Sequence, residues 1–439
     1  MRGVAQFGRI RLQRREACGD DSAVTESLDE ARRLLDAEDV PRAVRALRAA
    51  TADHSLSELA PLVGRLARLV GFDDLGAAAA AFAARPADLG ALYEFGRFCH
   101  RRGLSFVAVP ALREAVRRDP DAEDLLIGLV FSLRAEGLHA EAVGALLKRG
   151  QRLDRRLRRI LALEALLAGR LPLAREQFAL LPPDDRSADL RGMLARADVT
   201  GSPLDEQDLR GWHFALTGGI LGSLSPYAWD AGMAGRWAYL GDSVELCRHG
   251  LHRLGVILAA AGLRPSSVSL LPDRDSEILG HAAAQLFGLP AVPYEPSRAD
   301  TLVVAYELGE ADPKLVETLR TRAPGQLLFE HASCWTDPAP VWADVSTLLA
   351  QFVVRPWGEH HRYPDGAEPV LVPADTRTAE DIAAEIVRAS AAAPSGDGFT
   401  PADPDEELAA FVAAVAGRWR EGERIRLDPS GPVPSNRFF

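Results

Sequence analysis

Lysine is nearly absent from this chain of 439 residues. Its 51 basic residues include only Lys148 and Lys314, so 49 (51 minus 2) are arginines. No fold requires this bias, which is typical of GC-rich coding and, with abundant Ala, Gly, Pro and Val, indicates a bacterial origin. The formal net charge of -11 lacks the basic excess of most nucleic-acid-binding proteins. We therefore expect no nucleic-acid partner.

Paired cysteines and long apolar runs are also missing. Cys18, Cys99, Cys247 and Cys334 are far apart and form no CxxC motif, which indicates reduced thiols rather than a disulfide framework. No apolar run reaches the roughly 18 residues of a membrane span, and residues 1–21 lack the apolar region of a signal peptide. These absences predict a cytoplasmic protein without a membrane partner.

Tryptophan is absent from the first 200 residues, and all seven tryptophans follow residue 210. The first 200 residues are instead rich in Ala, Leu and Arg, and turn-forming stretches lie at 182–185 and 201–203. We therefore predict a leader at 1–24, a helical domain at 25–200 and a second domain at 205–393. Residues 394–439 are expected to form a linker, a short helix and a Pro-rich tail.

The helical part repeats with a period of 34 residues. Adding 34 places Gly103 on Gly137, Ala108 on Ala142 and Leu112 on Leu146, and a shorter third copy follows with Gly169, Ala174, Phe178 and Pro182. Amphipathic periodicity alone would also fit a helical bundle, but the coincidence of glycine, alanine and leucine indicates repeats.

These residues resemble the tetratricopeptide repeat (TPR) family, strongly over 89–182. The resemblance implies an all-α solenoid of helical hairpins and a groove lined by the first helix of each pair, in which a protein or peptide partner binds. The matching groove positions here are Tyr93, Arg97, His100, Arg101, Ile127, Phe131, Arg134, Arg156 and Arg159. Because arginine forks pair with carboxylates, the expected ligand is an acidic peptide or a free C-terminus. The alternative is that Arg152–Arg159 is a solvated helix face.

The second domain alternates apolar strands with helices, which predicts an α/β domain with a mainly parallel sheet. Trp212–Ser225 is predicted to form a β-hairpin with its turn at Gly218-Gly219. Ligands of such sheets bind beyond the carboxyl ends of the strands, where Asp273, Asp275, Glu307 and Glu310 are candidate catalytic residues. Candidate ligand-binding residues are Arg274 and Ser276, and also Asp230 and Arg236 in a Gly-flanked aromatic loop. The alternatives are helix capping for Asp273 and Asp275 and simple packing for that loop.

The segment from Ser267 to Glu310 resembles, in its order of elements, the phosphoribosyltransferase fold, and Asp273-Arg274-Asp275 resembles the Asp-x-Asp of glycosyltransferases. The phosphate-binding Thr-Thr-Gly or Thr-Gly-Thr expected after 301–306 is absent. His331, Cys334, His360 and His361 lack zinc-site spacing, so no metal ligand is assigned.

Two functions follow as hypotheses. The first is a protein-interaction scaffold whose α/β domain is a degenerate or regulatory module. The second is a transferase acting on a phosphorylated or nucleotide-linked substrate, with Mg²⁺ or Mn²⁺ as cofactor and the repeats presenting a protein target.

Overall fold

The computed structural model describes residues 28–183, 187–362, 369–424 and 431–436. The leader at 1–24 and Asp184-Asp185 lie outside them. Contacts divide the chain into two compact units, one up to Ala168 and one from Gly169 to Phe438. This division lies before the limit predicted at residue 200, and the finer domain limits remain predictions. Among the described residues, none of the helices combines the length and apolar character that a membrane span needs.

The first unit consists of helices that pair as hairpins, and each hairpin packs against the next. The helices are α1 Leu28–Asp36, α2 Val40–Ala50, α3 Leu56–Leu69, α4 Asp73–Ala84, α5 Leu89–Arg101, α6 Ser105–Arg118, α7 Glu123–Ala135, α8 His139–Leu147 and α9 Arg155–Leu167.

The turn between the two helices of a hairpin is the same in three successive pairs. Gly71, Gly103 and Gly137 have φ values of 72°, 84° and 73°, the left-handed region that glycine enters at no steric cost. The residue after each glycine donates its amide back into the first helix, as in Leu104 N to Cys99 O at 2.8 Å and Leu138 N to Leu133 O at 2.8 Å. The periodic glycines Gly103 and Gly137 therefore end the first helix of their pairs, and Gly71 does the same for α3.

The two helices of a hairpin also approach closely at a small residue. A Cβ added at Gly96 of α5 would lie 2.8 Å from Leu112 Cγ on α6, closer than two carbon atoms can pack. Phe95 and Leu112 themselves are fully buried. Leu112, which the repeat period marks, is thus part of the contact between α5 and α6.

The second unit is an α/β domain. Its helices are α10 Leu171–Ala179, α11 Ala188–Ala197, α12 Leu209–Thr217, α13 Val244–Ala260, α14 Arg274–Phe287, α15 Pro313–Thr318, α16 Ala379–Arg388 and α17 Asp405–Val415. Its strands are β1 Ile220–Leu221, β2 Trp237–Gly241, β3 Ser267–Leu270, β4 Ala291–Pro293, β5 Thr301–Ala305, β6 Leu327–Cys334, β7 Val345–Val354, β8 His360–Arg362 and β9 Val370–Val372.

The main sheet has the order β1-β7-β6-β5-β3-β4. β2 also pairs with β7, at residues closer to the carboxyl end of β7 than those that pair with β1. All six of its pairings are parallel, while β8 and β9 form a separate antiparallel pair. The strand residues alternate between two cores. Leu302 and Val304 face a core with α13, α14, α16 and α17, and Val303 and Ala305 face a core with α15. The predicted fold class, helical repeats followed by an α/β domain with a mainly parallel sheet, is confirmed.

The predicted β-hairpin at Trp212–Ser225 is wrong. Asp208 caps α12 by accepting from Gly211 N at 2.8 Å, and Gly218 ends the helix in the left-handed region with φ 80°. Gly218 therefore serves as a helix stop. The short strand that follows, β1, pairs in parallel with β7.

The helix predicted outside the α/β domain contributes to its core. Leu408, Val412 and Val415 of α17 are fully buried in the same cluster as α13 and α16. Beyond α17, Arg424 donates to the buried carboxylate of Asp344 at 2.6 Å. The chain up to Arg424 is therefore an integral layer of the α/β unit.

Candidate functional site

The carboxyl ends of β2, β3, β5 and β7 gather polar side chains from four segments. Asp242 follows β2, Asp275 lies in the first turn of α14 after β3, Tyr306 and Glu307 follow β5, and Arg355 follows β7. Because the strands are parallel, their carboxyl ends meet at one edge of the sheet, where α/β proteins bind ligands.

Arg355 connects two of the predicted catalytic candidates. Its guanidinium lies 2.5 Å from Asp275 Oδ2 and 3.3 Å from Glu307 Oε2. Trp357 Nε1 donates to the other oxygen of Asp275 at 2.6 Å. The structure thus brings Asp275 and Glu307 together, as the sequence predicts, but the two carboxylates are engaged by Arg355 and Trp357.

The other residues of the 273–276 loop have structural partners. Asp273, rather than Asp275, is the N-cap of α14, since it accepts from Ser276 N at 2.9 Å. Arg274 donates to the carbonyl oxygens of Asp375 and Arg377. Ser276 Oγ accepts from Tyr306 N at 3.0 Å. The capping alternative therefore describes Asp273, and Arg274 anchors the segment before α16.

The remaining candidates are Glu310, Asp230 and Arg236. Glu310 ends a 3-10 turn and is exposed, as is Asp230. Arg236 is buried, donates to the carbonyl oxygens of Val433 and Pro434, and stacks over the Trp335 ring. It lines, with His213, a cavity of about 10 Å³, room for roughly one water molecule. Arg236 thus holds the segment 433–434 in place.

Below the Arg355 ion pairs lies a buried cluster that we name the Asp242 cluster, formed by Asp242, Cys247, Tyr306 and His331. Asp242 Oδ2 lies 3.0 Å from His331 Nε2, 3.3 Å from Cys247 Sγ and 2.6 Å from Tyr306 Oη. The ring of Tyr306 also packs against the His331 ring at a centroid distance of 5.4 Å. Sequence reasoning did not select Asp242, Cys247 or Tyr306.

Electrostatics in the Asp242 cluster favour a carboxylate beside a thiol and a phenol. Burial opposes ionisation of Asp242, but the neighbouring His331 and the hydrogen bonds from His331 and Tyr306 hold the pKa of Asp242 below its usual value. Burial and the Asp242 charge raise the pKa values of Cys247 and Tyr306 well above their ordinary ones. Cys247 is therefore a thiol and lacks the thiolate that nucleophilic attack requires.

Glu330, on the opposite face of β6, is also fully buried. Burial raises its pKa to about 8, which hydrogen bonds from Ser333 and Leu308 N only partly offset. Leu308 N donates to Glu330 Oε1 at 2.7 Å. Glu330 therefore links β6 to the turn after β5.

His331, Cys334, His360 and His361, to which the sequence analysis assigns no metal, do not form one group of close metal-ligating atoms among the described residues. Cys334 Sγ contacts the carbonyl oxygen of Gln351. His360, the first residue of β8, places its Nδ1 atom against the carbonyl oxygen of Gly358. Only His331 belongs to a group with metal-ligating atoms close together, and its companions there are Asp242 and Cys247, all within 4.8 Å of one another among the residues described.

In the helical unit, the predicted groove arginines already have carboxylate partners. Arg97 pairs with Glu94 at 2.5 Å, Arg134 with Glu164 at 2.5 Å, and Arg156 lies 3.9 Å from Glu123. Ile127 is buried, so it is not available on a groove surface.

The aromatic groove positions are half-buried. The ring of Phe131 lies under Arg134, at 5.2 Å from the guanidinium carbon to the centroid. Tyr93 on α5 lies near Gly128 of α7, where an added Cβ would be 3.7 Å from its Cε2. His100 Nδ1 is 3.1 Å from Ser105 Oγ, and Arg101 is exposed over Phe98. Arg159 also has an interaction partner.

The chain was compared with protein families, with curated proteins and with solved structures. No family model matches the chain, and no curated protein matches it. Three solved structures of MamA, one of them a mutant, are similar at 19% identity and cover 34% of this chain and 85–92% of the MamA chains. Their TM-scores are 0.23–0.24.

Proposed function

We propose that this protein is an interaction scaffold whose helical hairpins are tetratricopeptide repeats that bind a segment of a protein partner. The observation that carries the proposal is the recurrence of one hairpin design, with Gly71, Gly103 and Gly137 in the same left-handed turn. Units of this design stack side by side and leave the first helix of each pair to form a shared binding surface.

The proposed binding surface consists of the half-buried or exposed first-helix residues Tyr93, Arg97, Arg101, Phe131 and Arg134. Aromatic and arginine side chains contribute most to protein interfaces because they combine apolar area with directional donors. Two of these arginines are neutralised within the unit by Glu94 and Glu164. The surface therefore offers aromatic contact area and paired charges, and an acidic partner would have to compete with internal carboxylates.

Site-specific photo-crosslinking in the full-length chain tests this proposal. A photoactivatable residue would replace Arg101 on α5 or Phe131 on α7, and control positions would be the exposed Arg113 and Arg117 on α6. We expect adducts with one protein from the first-helix positions and few from α6. Equal labelling from all four positions, or none, would contradict the surface. A yield at position 101 that falls with added salt would indicate an acidic segment.

We further propose that the α/β unit is a regulatory or docking module without catalysis of its own. Support comes from the internal partners of its candidate residues: Asp273 caps a helix, Arg274 holds two carbonyl oxygens, and Asp275 and Glu307 share Arg355. A catalytic site instead needs polar groups that converge on a space for substrate.

The second candidate, a transferase for a phosphorylated or nucleotide-linked substrate, is favoured by one observation. Asp275, Glu307 and Arg355 meet at the carboxyl edge of a parallel sheet. An anionic substrate would bind Arg355 in place of Asp275 and Glu307. Thermal melts of the full chain distinguish the transferase from a module without catalysis. The ligands would be nucleoside phosphates, phosphoribosyl pyrophosphate and nucleotide sugars, each with and without Mg²⁺ or Mn²⁺. A ligand at 100 times its dissociation constant adds about 2.7 kcal/mol of stability. A shift lost in Arg355→Ala would favour the transferase.

A further inference from the structure

The hydrogen bonds of the Asp242 cluster exceed what one oxygen atom can accept. Cys247 Sγ, His331 Nε2 and Tyr306 Oη all lie within 3.3 Å of the single atom Asp242 Oδ2. A carboxylate oxygen offers about two lone-pair sites. Asp242 Oδ1 is meanwhile 2.8 Å from Ser243 N. Three donors therefore compete for two sites, although all of these groups are shielded from water.

Three of these atoms, Asp242 Oδ2, Cys247 Sγ and His331 Nε2, have the spacing of a metal's coordination shell. Nε2 to Oδ2 is 3.0 Å, Sγ to Oδ2 is 3.3 Å, and Sγ to Nε2 is 3.8 Å. A tetrahedral zinc ion, with bonds of about 2.0 Å to nitrogen and oxygen and 2.3 Å to sulfur, sets its ligands roughly 3.3–3.6 Å apart. Each observed distance is within about half an ångström of these values.

Charge balance also favours a divalent cation. Asp242 and His331 are fully buried, and so is Cys247. Burial alone disfavours the charged form of a carboxylate, so a cation bound beside Asp242 would stabilise it. A divalent ion held by a carboxylate, a thiolate and a neutral imidazole has a net charge of zero, and the thiol proton leaves to solvent when the ion binds.

We propose that Asp242, Cys247 and His331 form a zinc-binding site. The mixed oxygen, sulfur and nitrogen donors suit zinc, whereas Mg²⁺ and Ca²⁺ prefer oxygen ligands alone. Ser243 N and Tyr306 Oη, both hydrogen-bonded to Asp242, orient the carboxylate from outside the coordination shell. Gly250 leaves room for the His331 ring, because a Cβ there would lie 2.7 Å from His331 Nδ1.

A metal at this site would join three separate elements of the α/β unit. Asp242 follows β2, Cys247 lies in the first turn of α13, and His331 is in β6. β2 pairs with β7 and not with β6 among the described strands, so a metal would add a direct link from this strand and from α13 to β6. Because the ligands are buried, the site is closed to substrates.

Metal analysis of the full-length protein tests the proposal. The chain, freed of any purification tag, is stripped with a chelator and then supplied with one equivalent of Zn²⁺ or Co²⁺. We expect uptake of about one ion per chain, a higher melting temperature, and with Co²⁺ a sulfur-to-metal charge-transfer absorption. Failure of the stripped protein to take up either ion would overturn the site.

Variants locate the ion. Cys247→Ser should remove the charge-transfer absorption and weaken uptake, and Asp242→Asn should weaken uptake. The matched control Cys334→Ser changes another buried cysteine, which contacts Gln351 O. It should leave the charge-transfer absorption and the metal uptake unchanged. If Cys247→Ser does not fold, the cobalt spectrum of the parent protein still reports a sulfur ligand. Uptake that persists in Cys247→Ser but is lost in His360→Ala with His361→Ala would place the ion on the β8–β9 surface and overturn the proposal.

Discussion

Arg134 Nε donates to Glu164 at 2.5 Å, and the Glu164 side chain is 0% exposed. His139 Nδ1 lies 2.9 Å from the other oxygen of the same carboxylate. Arg134 and His139 stand at either end of the α7–α8 hairpin turn, and Glu164 belongs to α9. This buried carboxylate therefore joins three consecutive helices of the repeat unit.

Removal of Arg134 is expected to destabilise the helical unit. Arg134→Ala leaves Glu164 buried with only His139 as partner, and loss of one member of a buried pair costs about 3 kcal/mol or more. The matched control is Arg97→Ala, whose partner Glu94 is 43% exposed and whose loss should cost less than about 1 kcal/mol. Urea unfolding of both variants measures the difference in the free energy of unfolding. Equal decreases in the two variants would contradict the claim that the buried Glu164 carboxylate stabilises the helical unit through Arg134.

Gly96 is expected to be intolerant of a side chain. Gly96→Ala would place a Cβ 2.8 Å from Leu112 Cγ, and such overpacking costs about 1–3 kcal/mol. Gly144→Ala on α8 is the control, because a Cβ there meets nothing within 4 Å and should stabilise by about 0.4–1 kcal/mol. We predict a lower melting temperature for Gly96→Ala and a higher one for Gly144→Ala. A stabilised Gly96→Ala protein would contradict the close approach of α5 and α6 at Gly96.

Asp344 is expected to fasten the segment after α17 to the sheet. It accepts from Arg322 at 2.8 Å and from Arg424 at 2.6 Å, and both it and Arg424 are fully buried. Asp344→Ala leaves a buried guanidinium unpaired, a loss of about 3–5 kcal/mol. Limited proteolysis should then cut between 393 and 424 more rapidly than in Arg418→Ala, which loses only an exposed pair with Glu421. Unchanged cleavage of Asp344→Ala would contradict this role.

Acid is expected to destabilise the α/β unit through His213. Burial lowers the pKa of His213 from 6.5 to about 3, so the folded state keeps the imidazole neutral while the unfolded state binds a proton below pH 6.5. Its stability contribution is complete above pH 6.5 and is lost as the pH falls from there towards 3, by up to about 1.4 kcal/mol per pH unit. Melts between pH 7 and pH 5 should show a shallower decline in His213→Gln, and parallel declines would exclude His213 as the cause.

The elements that the sequence predicts correctly depend on local signals. Gly103 and Gly137 mark helix ends because a left-handed turn is a property of a few adjacent residues. The same local signal is ambiguous at Gly218-Gly219, where a helix stop and a hairpin turn look alike; the missed sign was Asp208, placed to cap Gly211 N. Apolar runs such as Thr301–Ala305 predicted the buried parallel strands for a similar local reason.

The Asp242 cluster could not be predicted from spacing. Asp242 and His331 are separated by 89 residues, and only the strand order, with β2 beside β7 and β7 beside β6, brings them together. The arginine pairs of the helical unit pose the same difficulty, since Arg134 and Glu164 are 30 residues apart. The sequence could therefore indicate a basic groove but not that its charges are neutralised by carboxylates of other turns and helices.

Hydrogen exchange with a bound partner tests the central claim most directly. The full chain would be measured alone and with the protein segment recovered by crosslinking, and exchange would be compared between first helices, α5 and α7, and second helices, α6 and α8. We predict slower exchange at 89–101 and 123–135 in the complex, with little change at 105–118 and 139–147. Protection confined to the second helices, or to the α/β unit, would contradict partner binding at the first-helix surface.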